Sequence, residues 1–205
     1  QYRGWYIWSA ENPGYTGPWG EQVWYAGKSG YYYAVFWSGM PDLNLQNPAV
    51  TQEIYNITSH WLTNMNVDGF RLAAIRHFVE NGRIQENTIE THTWLRNYYQ
   101  FSESIDPAVF TVGEAWTETQ QIVEYVGDQV DIAFEFNLAE AFVRSAIGPI
   151  ASSASTQLQT VLDSYPAGQY GVFLTNHDQD RVMSVLGSDV QKAKIAAVMM
   201  LTSPG

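Results

Sequence analysis

The chain has 205 residues, 45% of them hydrophobic and only 15% charged, which describes a globular protein with a sizeable core in one large domain or two small ones and speaks against disorder. A net charge of -11 and a pI near 4.6 exclude nucleic acid and anionic membrane as partners, because phosphate would be repelled, and leave a neutral substrate compatible. No apolar run is long enough for a membrane span, no basic start with an apolar stretch marks a signal peptide, and zero cysteines remove disulfides, thiolate metal sites and thiol catalysis together; the compartment stays open, with an extracellular or periplasmic setting preferred.

Residues 1 to 40 place Gly4, Pro13, Gly14, Gly17, Pro18, Gly20, Gly27, Gly30 and Gly39 between short aromatic runs, so the segment reads as loop-rich with short strands at Val23 to Ala26 and Tyr31 to Phe36. Aromatics make up 15% of the chain and concentrate here, with Trp5, Trp8, Trp19, Trp24, Tyr33, Phe36 and Trp37. Two readings stay open for them: flat faces that stack on sugar rings, or large rings packed where aliphatics are few.

From residue 48 the pattern changes. Asn47-Pro48 opens a helix over 48 to 65, with Val50, Ile54, Ile57, Trp61 and Leu62 at helical spacing. A strand at 67 to 72 follows, then a polar stretch from Glu80 to Glu86 and a helix over 88 to 103. Strands at Val109 to Glu114, Val130 to Phe136 and Tyr170 to Thr175 alternate with helices near 118 to 126, 138 to 147, 156 to 162 and 189 to 197. The apolar run Val198-Met199-Met200-Leu201 supplies a fifth strand at the end. Strand–helix alternation predicts a parallel sheet covered by helices, as a barrel or an open doubly wound sheet. No Gly-rich phosphate loop follows a strand, so the dinucleotide-binding open sheet loses its main support.

Four stretches carry polar side chains at or near strand ends: Met40-Pro41-Asp42-Leu43-Asn44, Gly69-Phe70-Arg71-Leu72-Ala73-Ala74-Ile75-Arg76-His77, Val112-Gly113-Glu114-Ala115-Trp116, and Phe173-Leu174-Thr175-Asn176-His177-Asp178-Gln179-Asp180-Arg181. Arg71 and Ala73, two apart on a strand, share one face. Taken in order, these stretches resemble the motifs of the α-amylase family of glycoside hydrolases. The second is similar to that family's Gly-Phe-Arg-Leu-Asp-Ala-x-x-His, with Ala73 in place of the nucleophilic Asp.

The resemblance implies an α/β fold, a (β/α)8 TIM barrel present in part, with residues 1–44 part of a loop-rich domain B insertion and 45–205 barrel material of about strands 4 to 8. A complete barrel takes about 250 residues, so remaining barrel segments are expected from the same or a longer polypeptide. It implies retaining hydrolysis, with Glu114 as acid then base, Asp178 stabilising the distorted ring, His177 binding a hydroxyl and Arg71 orienting the nucleophile or Asp178. Read locally, the strand end beside Trp116 is a partly desolvated setting that suits Glu114 as an acid, and a cap of the following helix is the competing reading.

Ala73 cannot attack an anomeric carbon, so the chain as written is expected to bind but hardly to turn over, through a deliberate substrate-trapping change or as a natural sugar-binding pseudoenzyme. Ala74 resembles α-1,4-acting members, which makes starch or malto-oligosaccharide the expected α-glucan; an α-glucosidase or transglycosylase on short sugars is the alternative. Calcium is a further implication, held by Asp42 and the main-chain carbonyl of His77, as hard cations prefer oxygen. Asp42 as a cap of the next helix, and the His77 ring as structural, are the competing readings.

Overall fold

The computed structural model describes residues 2–148 and 152–205. The chain divides into two compact units, Gln1–Gly69 with Ala74–Phe110, and Phe70–Ala73 with Thr111–Gly205. The boundary expected at 44/45 lies inside the first unit.

In the first unit, strands β1 (Trp8–Ser9), β2 (Trp24–Gly27) and β3 (Gly30–Tyr33) form an antiparallel sheet in the order β1-β3-β2. Gly27 pairs with Gly30 across the two-residue loop Lys28-Ser29. Gly30 is required there: its φ is +114°, and a Cβ would lie 2.4 Å from Ser9 O. Val23, Trp24, Tyr33 and Val35 make the core of this sheet, whereas Trp19, Phe36 and Trp37 are exposed, so the aromatic run divides between packing and surface.

Helix α1 (Pro48–Thr63) starts where Asn47 Oδ1 accepts from Ala49 N at 3.0 Å and Pro48 takes the first position, whose N–H would be unpaired in any case. Asn47, not Asp42, therefore caps this helix. Strand β4 (Gly69–Leu72) follows, and helix α2 (Ile89–Ile105) is capped by Thr88, whose hydroxyl accepts from Thr91 N at 3.0 Å. Within the unit, α1 and α2 meet through stacked Tyr55 and Phe101 and a Thr58–Tyr98 hydroxyl contact of 3.1 Å.

The remaining strands are β5 (Phe110–Gly113), β6 (Ile132–Phe134) and β7 (Tyr170–Gly171), and the sheet order is β4-β5-β6-β7. The β5–β6 and β6–β7 pairs are parallel. Gly69 has no room for a side chain, because a Cβ would lie 1.7 Å from Phe110 O. Between the strands come α3 (Thr119–Val123), α4 (Phe136–Ile147) and α5 (Ser152–Ser164), and after β7 come α6 (Val182–Val185) and α7 (Val190–Thr202). The strand expected over 170 to 175 stops at Gly171, because β6 offers partners only to Tyr170 and Gly171 before its chain turns into α4.

The fifth strand expected at 198 to 201 is helix. Asp189 Oδ1 accepts from Gln191 N at 2.8 Å and Lys192 N at 3.2 Å, and the helix it starts runs on to Thr202, just before Ser203-Pro204. Met and Leu are good helix formers, and a four-residue apolar run has no period that separates strand from helix. Ala196 and Met199 join Val143, Ala146 and Leu186 in the core between α4 and α7.

Candidate active site

Strands β4 and β5 bring Arg71, Ala73 and Glu114 to one end of the sheet. Arg71 and Ala73 are exposed while Phe70 and Leu72 between and beside them are half-buried, the two-residue alternation of a strand. Glu114 follows β5 directly, and its N–H donates to Leu72 O at 2.9 Å. Glu114 is 9% exposed, and its carboxylate accepts a hydrogen bond from Arg71 Nη2 at 2.8 Å. Arg71 is expected to orient a nucleophile or Asp178; the contact the structure shows for it is another. The methyl group of Ala73 offers no acceptor, and the guanidinium meets the Glu114 carboxylate instead.

Glu114 caps no helix, since α3 begins at Thr119 with Glu118 at its N-cap. The Trp116 ring, half exposed, stacks on Phe136 with centroids 4.8 Å apart and planes 15° apart. Directly after Ala73, Ala74 has φ 50° and ψ 40°, a left-handed conformation that costs a non-glycine residue energy.

His177 and Asp178 lie on the loop after β7 as an exposed pair, Nε2 to Oδ2 3.3 Å. The loop is shaped by its own side chains: Asn176 Oδ1 accepts from Asp178 N at 3.0 Å, and Gln179 Oε1 accepts from Asn176 N at 3.1 Å.

Asp42 and His77 belong to the other unit. The His77 ring is buried, with Nδ1–H donating to Gln85 O at 3.0 Å and Nε2 accepting from Arg76 Nε–H at 3.1 Å. Both nitrogens are thus used by a neutral ring, and burial first, then the Arg76 charge, holds its pKa below the ordinary value. Asp42 is paired with Glu80, a residue that sequence reasoning passed over as part of a polar stretch. Burial pushes Asp42 up to about 6, against the lowering effect of hydrogen bonds from Val35 N–H and from Glu80, whereas burial and then the Asp42 charge push Glu80 up to about 8. Among the described residues no three acidic or histidine side chains gather into a metal site. The Asp42–Glu80 pair is nonetheless a hard-oxygen donor set, and Glu80 Oε1 is buried without a hydrogen-bond partner.

A parallel sheet flanked by helices, with a carboxylate and an arginine at its strand ends, defines the class: a part of a (β/α)8 barrel with its polar site at the ends of the strands. Comparison with known proteins gives the family. The α-amylase catalytic-domain model matches residues 1–205, and the chain belongs to the α-amylase family. It is 34% identical over its whole length to Alpha-amylase 3 of Dictyoglomus thermophilum, covering 39% of that protein. It is 29% identical, over 81% of its length, to a cyclomaltodextrinase of Geobacillus thermopakistaniensis, covering 27% of it. The crystal structure of an α-amylase from H. orenii superposes with a TM-score of 0.86 at 34% identity, over 98% of this chain and 42% of that one. The chain thus spans about two-fifths of the length of the α-amylases it matches.

Proposed function

We propose that this chain belongs to a retaining α-glucan hydrolase acting on α-1,4-linked starch or malto-oligosaccharides, and that Ala73 stands where its nucleophilic carboxylate would be. The observation that carries the reading is Glu114, a largely buried carboxylate at a strand end, next in the sheet to the strand that ends in Arg71-Leu72, just before Ala73. Retaining glycosidases need two carboxyl groups roughly 5 Å apart, one to protonate the leaving oxygen and one to attack from the opposite face. Glu114 is the acid and later the base, Asp178 stabilises the developing positive charge, and His177 binds a hydroxyl. Residues 1–44 are part of domain B. Further barrel segments cover the exposed stripe Ile195, Val198 and Leu201 on α7.

The test is Ala73→Asp in the full-length polypeptide. Starch and maltotriose hydrolysis rises by about 10⁴-fold or more, with retention at the anomeric carbon, since loss of a nucleophile from a concerted site removes that much. A folded, sugar-binding revertant that releases no reducing sugar contradicts the reading. The cyclomaltodextrinase relative supports a second one, in which the same site works on short sugars as an α-glucosidase or transglycosylase. Ala73 itself supports a third, a non-catalytic sugar-binding protein.

Calcium is proposed at Asp42, with Glu80 beside it and the His77 carbonyl as a further oxygen. When bound it would supply structural cross-linking of the segments that carry these residues.

A further inference from the structure

The loop that starts at Glu114 and ends at α3 is gripped by three consecutive residues that follow β6. Glu135 Oε1 accepts from Thr119 Oγ1 at 3.0 Å, the Phe136 ring stacks on Trp116, and Asn137 Nδ2 donates to Thr117 O at 2.9 Å. The Thr119 hydroxyl is saturated. It donates to Glu135 and accepts from Gln157 Nε2 at 2.9 Å and Asn137 Nδ2 at 3.4 Å, which uses its one proton and both lone pairs.

Glu135 has no solvent exposure, and its second oxygen accepts from the Tyr165 hydroxyl at 2.8 Å. Burial, then the Glu135 charge, pushes the Tyr165 phenol up, so it stays a donor. A buried carboxylate met by neutral hydroxyls is a poor source of stability, because its desolvation outweighs two such bonds. An apolar residue would serve packing better at this place. What the carboxylate adds is direction: it fixes the Thr119 proton, and with it the end of the loop whose start is Glu114.

We propose that Glu135, Thr119 and Asn137 form a clamp that positions Glu114 for proton transfer. The catalytic part of this inference rests on Glu114 being the acid; the clamp itself does not. Thr119, Glu135 and Asn137 touch no reacting atom and are positioning residues.

The experiment compares Thr119→Val, which removes the hydroxyl at nearly constant shape, with Thr119→Ser, which returns it, and with Asn137→Ala, which cuts the partly buried tie and leaves Glu135 paired. In the full-length protein carrying Ala73, hydrogen exchange is read at the amides of residues 115 to 118, together with the fluorine signal of 5-fluorotryptophan at Trp116. Thr119→Val and Asn137→Ala speed exchange of this loop about tenfold or more and broaden or shift the Trp116 line, while Thr119→Ser changes neither. The same substitutions are then added to Ala73→Asp. They lower kcat/KM on maltotriose by about 10- to 100-fold and on α-glucosyl fluoride by less than about threefold, because fluoride leaves with little need of an acid.

Unchanged exchange at 115 to 118 overturns the clamp whatever the activity. Loosened exchange with equal losses on both substrates overturns the positioning of Glu114. An Ala73→Asp protein that turns over neither substrate removes the hydrolase reading on which the positioning role rests, and with it that role, while the exchange result still decides the clamp.

Discussion

Two carboxylate sites in this chain solve the same physical problem in opposite ways. At the end of β5, Glu114 is nearly buried, and its charge is met by the Arg71 guanidinium at 2.8 Å. In the other unit Asp42 and Glu80 are half-buried beside each other, and their pKa values rise to about 6 and about 8. An arginine keeps its charge at any accessible pH, so the first site is balanced by a fixed cation. The second is balanced by a proton that can be lost. The first arrangement suits a group that must be aimed, and the second suits a pair whose contribution to stability depends on pH.

Breaking the first site gives the largest effect. In the Ala73→Asp background, Glu114→Gln lowers turnover of starch by about 10² to 10⁴-fold, and far less the first step on activated aryl glycosides, where no proton needs to be delivered. Pre-steady-state measurement of that step on both substrates checks it. Equal losses count against Glu114 as the acid.

Breaking the second acts on stability. Both folded-state pKa values lie above the ordinary values of 3.8 and 4.5, so the folded protein favours the protonated forms. The sign follows from linkage: stability is fully present below about pH 4 as far as these groups are concerned, and is lost as pH rises through about 6 and then about 8. In buffer with a chelator, the melting temperature therefore falls between pH 5 and pH 9. Glu80→Gln flattens that fall and is the more stable protein at pH 9. A melting curve that is level or rising over this range in the unsubstituted chain contradicts the account.

The smallest expected effect sharpens the contrast. Millimolar calcium at pH 8 raises the melting temperature by a few degrees, as mass action on a folded-state site requires, and Asp42→Asn removes the rise. The Glu114→Gln protein keeps it. A rise that survives Asp42→Asn places the ion elsewhere.

Where the motif strands lie was readable from the sequence because that information is local. Gly69-Phe70-Arg71-Leu72 and Val112-Gly113-Glu114 are short apolar strands ending in polar residues, and the structure puts them side by side. The need for Gly69 is equally local in the sheet, with Phe110 O where its side chain would be. What escaped was set by tertiary contact. Glu80 looked like one charge in a polar stretch, and nothing in its neighbours announces Asp42, far away in the chain. Glu135 sat inside an expected strand over 130 to 136, where its one signal was a carboxylate in an apolar run. The Arg71–Glu114 pair could not be foreseen from the motifs, which place an acidic partner where this chain has Ala73. Residues 198 to 201 misled for the reason short apolar runs do: helix capping at Asp189, several turns away, decides their conformation.

The central claim is that Ala73 occupies the nucleophile's place, and the hole it leaves offers the most direct test. Replacing a carboxylate with a methyl group opens space on the face of the sugar opposite the leaving group, and a small anion can enter it. The protein with Ala73 is given α-glucosyl fluoride and azide at high concentration, and the product is followed by proton NMR through its anomeric coupling. One displacement replaces two, so the account predicts an azide-dependent rate and β-glucosyl azide, with configuration inverted. Only α-configured product, or no azide-dependent rate in protein shown to bind maltose, would contradict it.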